Sequence, residues 1–143
     1  MSKLNTYILN NAKDAAKDIS SGGVGQMDYA SLLPTLDVMD GLGRVLKNKN
    51  LYFRLLGKFS GAQMETDIAT AVENGDYAKT REVAHALKGV CANLGLKSLT
   101  DIALQIEMRA KAEETAFDLI PVLSKAIADA EDAIARLLAD EKV

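Results

Sequence analysis

An all-α fold is predicted by three features of this 143-residue sequence. Pro34 and Pro121 are its two prolines, and good helix formers fill the long interval between them. Strand-like alternation of β-branched and aromatic residues is absent. Cap and stop signals divide the interval into helix-length segments joined by short turns. The packing this implies is an antiparallel up-down four-helix bundle, with an additional short N-terminal helix or helices.

Taken in order, Leu4, Ile8, Ala12, Ala15 and Ile19 recur with a weak helical period. Ser20-Ser21-Gly22-Gly23-Val24-Gly25 then reads as a flexible linker. Residues 1–31 are therefore expected to form a helical arm and Gly/Ser linker, and residues 32–143 the bundle. Asp37 can cap a short helix ending near Leu46. Lys47-Asn48-Lys49-Asn50 is a polar turn, with Asn50 as the cap of the next helix. That helix is expected to run unbroken to Asn74-Gly75. Leu51, Leu55, Phe59, Ala62 and Thr66 lie on one face, with Tyr52, Leu56 and Ile68 beside it. Asp76 can cap a helix reaching about Leu94, with Gly95 as its left-handed terminator. Ser98-Leu99-Thr100-Asp101 has the pattern of a capping box and opens a helix to about Ala112. A last helix lies between about Asp118 and Leu138, with Pro121 tolerated in its first turn.

The composition bounds the function. Apolar residues make up 48% of the chain, enough for one hydrophobic core. The net charge of −3 gives no reason to expect nucleic-acid or membrane binding. One cysteine excludes an internal disulfide, and one histidine leaves no metal-ligand cluster. No apolar stretch approaches a membrane span, and the start lacks the apolar core of a signal peptide. A cytoplasmic monomer is the expectation. No glycine-rich phosphate loop is present, so no ATP site of a kinase is expected.

The single histidine is the chemically informative residue. On a helical wheel of about 100° per residue, Thr80, Val83, Ala84, Leu87, Val90, Cys91 and Leu94 gather on one stripe. His85 lies about 160° from the centre of that stripe. Lys88 and Gly89 flank it one turn on, and Ala78 and Ala92 lie above and below. An imidazole on the outer face of a helix is thus left accessible among small residues. Gly89 costs a mid-helix position roughly 1 kcal/mol against Ala. Access for an incoming surface, or a tight helix crossing, would account for it. Cys91 belongs to the core stripe as a packed thiol.

The run Ala84-His85-Ala86-Leu87-Lys88-Gly89, continued by Val90-Cys91-Ala92-Asn93-Leu94-Gly95-Leu96, resembles the active helix of histidine-containing phosphotransfer (HPt) domains. Leu36-Asp37 and Tyr52-Phe53-Arg54-Leu55-Leu56-Gly57-Lys58-Phe59 resemble the helix before it. The likeness extends from about Leu33 to Leu138. It implies that His85 accepts a phosphoryl group, that Lys88 supports the phosphate and that Gly89 leaves room for a receiver domain. The place of Glu107 commonly holds Gln or Glu in the family, where the side chain bonds the non-reacting ring nitrogen. A solvated surface carboxylate is the alternative for Glu107. Lys111, one turn on, would add positive charge or stand as an ordinary exposed lysine. Ala78, Ala86, Ala92 and Met108 are candidates, with Lys111, for the docking surface.

By the same resemblance the chain is a phosphorelay intermediate, taking phosphate from one receiver aspartate and giving it to another. The partners implied are response-regulator receiver domains and a hybrid sensor histidine kinase. The chain would bind no cofactor itself, and Mg²⁺ would sit on the partner receiver. It would be a carrier rather than an autonomous enzyme. Two alternatives remain: a receiver-binding module that relays nothing, and the HPt segment of a larger hybrid or chemotaxis-type kinase.

Overall fold

The computed structural model describes residues 29–141. The expected arm and linker up to residue 28 lie outside the described residues. Within them the chain is helical, with six α-helices and no strand. A 3₁₀ turn at Tyr29–Leu32 leads to α1 (Val38–Arg44), α2 (Lys49–Lys58), α3 (Ala62–Glu73), α4 (Tyr77–Leu94) and α5 (Lys97–Lys111). A second 3₁₀ turn, Phe117–Leu119, leads to α6 (Ile120–Glu141), with Pro121 in its first turn. Helices α3 to α6 form the bundle, and α1 and α2 pack onto it.

Local chemistry sets most boundaries. The Asp37 carboxylate accepts from the Asp40 amide at 3.1 Å, and the Asp76 carboxylate from the Lys79 amide at 3.0 Å. Both satisfy amides that a helix start leaves without partners. Helix α2 is capped by Asn48, which accepts from the Leu51 amide at 3.0 Å, rather than by Asn50, which lies inside it. The capping box at Ser98 does not form. Helix α5 begins at Lys97 with Leu96 as its cap, and Thr100 turns its hydroxyl back to the Leu96 carbonyl at 2.7 Å.

Gly95 ends α4 with φ +78°. Its amide bonds the Ala92 carbonyl, and the Leu96 amide bonds that of Cys91 at 2.9 Å, the paired bonds of a Schellman ending. A Cβ at Gly95 would also collide with the Asp37 carbonyl. The close approach is used: the Asp37 amide donates to the Gly95 carbonyl at 2.7 Å, and the Tyr52 hydroxyl donates to the Leu94 carbonyl at 2.9 Å. Helices α1 and α2 are thereby tied to the end of α4.

The helix expected to run unbroken to Asn74 is instead divided into α2 and α3. Phe59 is extended, and Ser60-Gly61 carries the chain against α6. A Cβ on Gly61 would stand 3.0 Å from Ile127 Cγ2, so the approach relies on glycine. The break resets the helical phase. Tyr52, Leu56 and Ile68 are the buried residues, whereas Leu55 is exposed.

The core is one cluster. It joins Ile68 and Val72 of α3, Leu87 and Cys91 of α4, Leu99, Ala103 and Ile106 of α5, and Leu123, Ile127 and Ile134 of α6. Burial of each Leu or Ile contributes about 1.5–3 kcal/mol. Tyr29 and Leu32 of the first turn belong to the same cluster. Val90, expected on the core stripe, is instead 39% exposed. It sits at the edge of the stripe, where no neighbouring helix covers it.

Candidate functional site

The chemistry-bearing side chains gather where α4 and α5 run side by side in opposite directions. Asp76 starts α4 and Gly95 stops it, which fixes the phase of its faces. Val83, Ala84, Leu87 and Cys91 face the core. His85 is left on the outer side with its side chain 69% exposed. Helix α5 is anchored by Leu99, Ala103, Ile106 and Ala110. That period places Glu107, one turn after Ala103, at the margin of the buried face. Its side chain is only 3% exposed.

Glu107 reaches two partners on α4. Its Oε2 lies 2.7 Å from Nδ1 of His85, and its Oε1 accepts from Nζ of Lys88 at 2.7 Å. The Lys88 ammonium holds the Glu107 carboxyl below the usual carboxylate range, while burial pushes the other way. The His85 hydrogen bond and the charges of Lys88 and Lys111 add to the lowering. A carboxylate kept ionised can only accept. In the neutral ring the proton of the contact therefore sits on Nδ1 of His85, and Nε2 is the bare, nucleophilic nitrogen of an exposed side chain. A buried charge with two charge-assisted bonds also avoids the cost of an unpaired one.

Gly89 packs against nothing: a Cβ there would meet no atom within 4 Å. A tight helix crossing is thus not what holds a glycine at this place. Ala78 and Ala86 are exposed, Ala92 is partly buried and Met108 is 59% exposed. Lys111 is exposed and lines an open cleft of about 380 Å³ with Ala78, Arg81, Glu82, His85 and Glu107. Lys88 lies outside that cleft. Cys91 is buried, and burial pushes its thiol up to about 12.

Several residues here escape a reading of the sequence. Arg81, one turn before His85, enters the cleft; its i−4 spacing from the histidine was the available signal. Leu104, one turn before Glu107, is 40% exposed, and with Val90 it adds apolar surface to these helices. Lys97 near the end of α4 is paired with Asp40 at 3.2 Å, which ties α5 to α1.

Comparison with known proteins agrees with this geometry. The sequence profile of the Hpt domain matches residues 60–138, more than half of the chain. The chain belongs to the Hpt domain family. Its role is phosphotransfer in two-component signalling. The fold also matches the crystal structure of the HPT domain from the Hpt sensor hybrid histidine kinase from Shewanella. The TM-score is 0.64 at 23% identity, over 73% of this chain and 94% of that one. No curated protein matches the chain by sequence. The family match leaves α1 and α2 outside it, and those helices carry none of the groups around His85.

Proposed function

We propose that this Hpt domain is a phosphorelay intermediate in which Nε2 of His85 takes a phosphoryl group from the phosphoaspartate of one receiver domain and delivers it to an aspartate of another. The observation that carries this reading is the 2.7 Å contact between Nδ1 of the exposed His85 and the buried carboxylate of Glu107. It leaves the nucleophilic nitrogen facing outward on a ring whose orientation is held.

In the step, the Nε2 lone pair forms a bond to phosphorus and the bond from phosphorus to the aspartate oxygen breaks. The carboxylate leaves, and the proton on Nδ1 stays shared with Glu107. The imidazolium character gained by the ring is stabilised by the Glu107 charge. The reverse sequence returns the group to a second aspartate. Both linkages are high in energy, so the transfer runs in either direction.

We place Mg²⁺ on the receiver. Among the described residues, no three His, Cys, Asp or Glu side chains converge as a metal would need. The exposed Ala78, Ala86 and Met108, with Ala92 and Lys111 beside them, form the docking surface for the receiver. Gly89 lets that partner approach the ring. A hybrid sensor kinase is the upstream donor, and the chain acts as a cytoplasmic monomeric carrier without turnover of its own. No described helix is long and apolar enough to cross a membrane. The solved relative is a domain of a hybrid histidine kinase, and the same relay chemistry would serve this chain as a segment of such a kinase.

The test is intact mass after incubation with an acetyl-phosphate-charged receiver and Mg²⁺, on wild type and His85→Gln. One acid-labile phosphate on wild type alone is expected. Binding without phosphate across a panel of receivers would replace the relay with a sequestering module.

A further inference from the structure

The family pattern gives the phosphate to Lys88, but two other cations, Arg81 and Lys111, line the open cleft that His85 shares. We propose that Arg81, with Lys111, is the positioning residue that holds the phosphoryl group on His85, while Lys88 acts indirectly by keeping Glu107 ionised. The inference rests on His85 carrying the phosphate.

Three observations lead here. First, the Lys88 ammonium is engaged at 2.7 Å with the carboxylate that orients the ring, and the side chain is only 29% exposed. Moving it to the phosphate would leave Glu107 buried without its cation, a costly exchange. Second, the turn of Ala78 and Arg81 shares a cleft with the His85 ring, and neither Lys88 nor Gly89 lines it. That turn forms the wall of the open cleft of about 380 Å³. Third, Arg81 from α4 and Lys111 from α5 both line this cleft. Arg81 makes no ion pair or hydrogen bond among the described residues.

The charges around the cleft favour an anion once pairing is counted. On α4, Glu82 also lines it, but it is 72% exposed and faces Lys79 at 3.9 Å. On α5, Glu107 is neutralised by Lys88. Among the described residues Arg81 is left without a partner, and Lys111, which acts on Glu107 only through its charge, makes no ion pair or hydrogen bond. A guanidinium presents two parallel donors to phosphate oxygens, which a lysine cannot do. Ala78 beneath it leaves the volume that the group needs.

The experiment loads the full chain with phosphoramidate, which phosphorylates histidine without any receiver. Phosphorus NMR then follows the last ionisation of the phosphoryl group against pH in wild type, Arg81→Gln, Arg81→Lys and Lys88→Gln. A guanidinium beside the group favours its doubly charged form. Its removal in Arg81→Gln is expected to raise the midpoint by roughly half a pH unit. Arg81→Lys should keep most of the wild-type position, and Lys88→Gln should move it less than Arg81→Gln. An unmoved midpoint in Arg81→Gln, or a larger shift in Lys88→Gln, overturns the assignment. Transfer from charged receivers is measured separately, so the relay can fail while this titration still decides the place of Arg81.

Discussion

Glu107, buried on α5, stands 2.7 Å from Nδ1 of the exposed His85 on α4. A carboxylate at that place fixes both the ring's orientation and the nitrogen that carries its proton. Two substitutions separate these effects. Glu107→Gln keeps an acceptor oxygen for Nδ1 and loses only the charge. Glu107→Ala loses both. Initial rates of transfer from a charged receiver should fall by less than about tenfold in the first and by about 10–100-fold in the second, as expected when a reacting group loses its positioning. Equal rates in wild type and Glu107→Ala would remove Glu107 from the site.

The same carboxylate makes stability depend on pH. Its folded-state value is lowered, first by Lys88 and then by His85, from an ordinary 4.5. A depressed carboxylate contributes stability above its unfolded value, and loses that contribution as the pH falls through the folded one. Wild type should therefore have its full advantage over Glu107→Gln near neutrality. That advantage should shrink as the pH drops below 4.5. Urea midpoints of both chains at a series of pH values give the difference directly. Other acidic groups are common to both chains and cancel.

Breaking the pair from its other side should cost more. Lys88→Ala leaves a carboxylate only 3% exposed without its cation. Glu107→Gln instead leaves a lysine that can turn to water. The expected losses are about 2–3 kcal/mol for Lys88→Ala and about 1 kcal/mol for Glu107→Gln, both reduced from fully buried values because Lys88 is partly solvated. Denaturant unfolding of the two variants at neutral pH checks the order.

The outward placement of His85 was legible because it needs only the phase of one helix, set by Asp76 at one end and Gly95 at the other. The burial of Glu107 was half legible. Leu99, Ala103, Ile106 and Ala110 mark a stripe whose edge passes through 107, but an edge residue is decided by what packs across from it. The Lys88–Glu107 pair was not legible, since it depends on how α5 slides against α4. Nor was the break at Ser60-Gly61. It answers to Ile127, which is remote in sequence and meets Gly61 only in the folded bundle. Val90 failed for the same reason as Glu107, in the opposite direction.

Gly95→Ala tests the junction that holds α1 against α4. The substitution forces a side chain onto a residue with φ +78° and drives it into the Asp37 carbonyl. Either α1 is displaced or the end of α4 is remade. A loss of about 2–4 kcal/mol is expected, above the cost of the backbone conformation alone. His85 lies more than two turns from this junction. Chemical phosphorylation by phosphoramidate at a temperature where the variant is folded should therefore proceed at the wild-type rate.

Gly89→Ala should separate stability from function. Its added methyl group meets no atom within 4 Å, and it removes the conformational freedom of a mid-helix glycine. The variant should gain about 0.5–1 kcal/mol and unfold at a higher temperature. Phosphoramidate, a small donor, should load it as fast as wild type. Transfer from a receiver should slow, because a protein surface must come close to His85 across that turn. Unchanged receiver transfer in a stabilised Gly89→Ala would mean that the glycine is not kept for access.

Met108, of the proposed docking surface, and its apolar neighbour Leu104 give the last test. They are 59% and 40% exposed on the outer side of α5, one on each side of Glu107 in sequence. Truncating exposed side chains costs the fold little, so Met108→Ala and Leu104→Ala should each unfold within about 0.5 kcal/mol of wild type. An apolar side chain at the centre of an interface contributes about 1–2 kcal/mol to binding. Receiver affinity should then fall about five- to thirtyfold in the variant whose side chain lies at that centre. Loading by phosphoramidate should be unaffected, since neither residue touches the cleft around His85. Calorimetric titration with an uncharged receiver reads the affinity, and unchanged affinity in both variants would move the docking surface to the α4 side, around Ala86 and Val90.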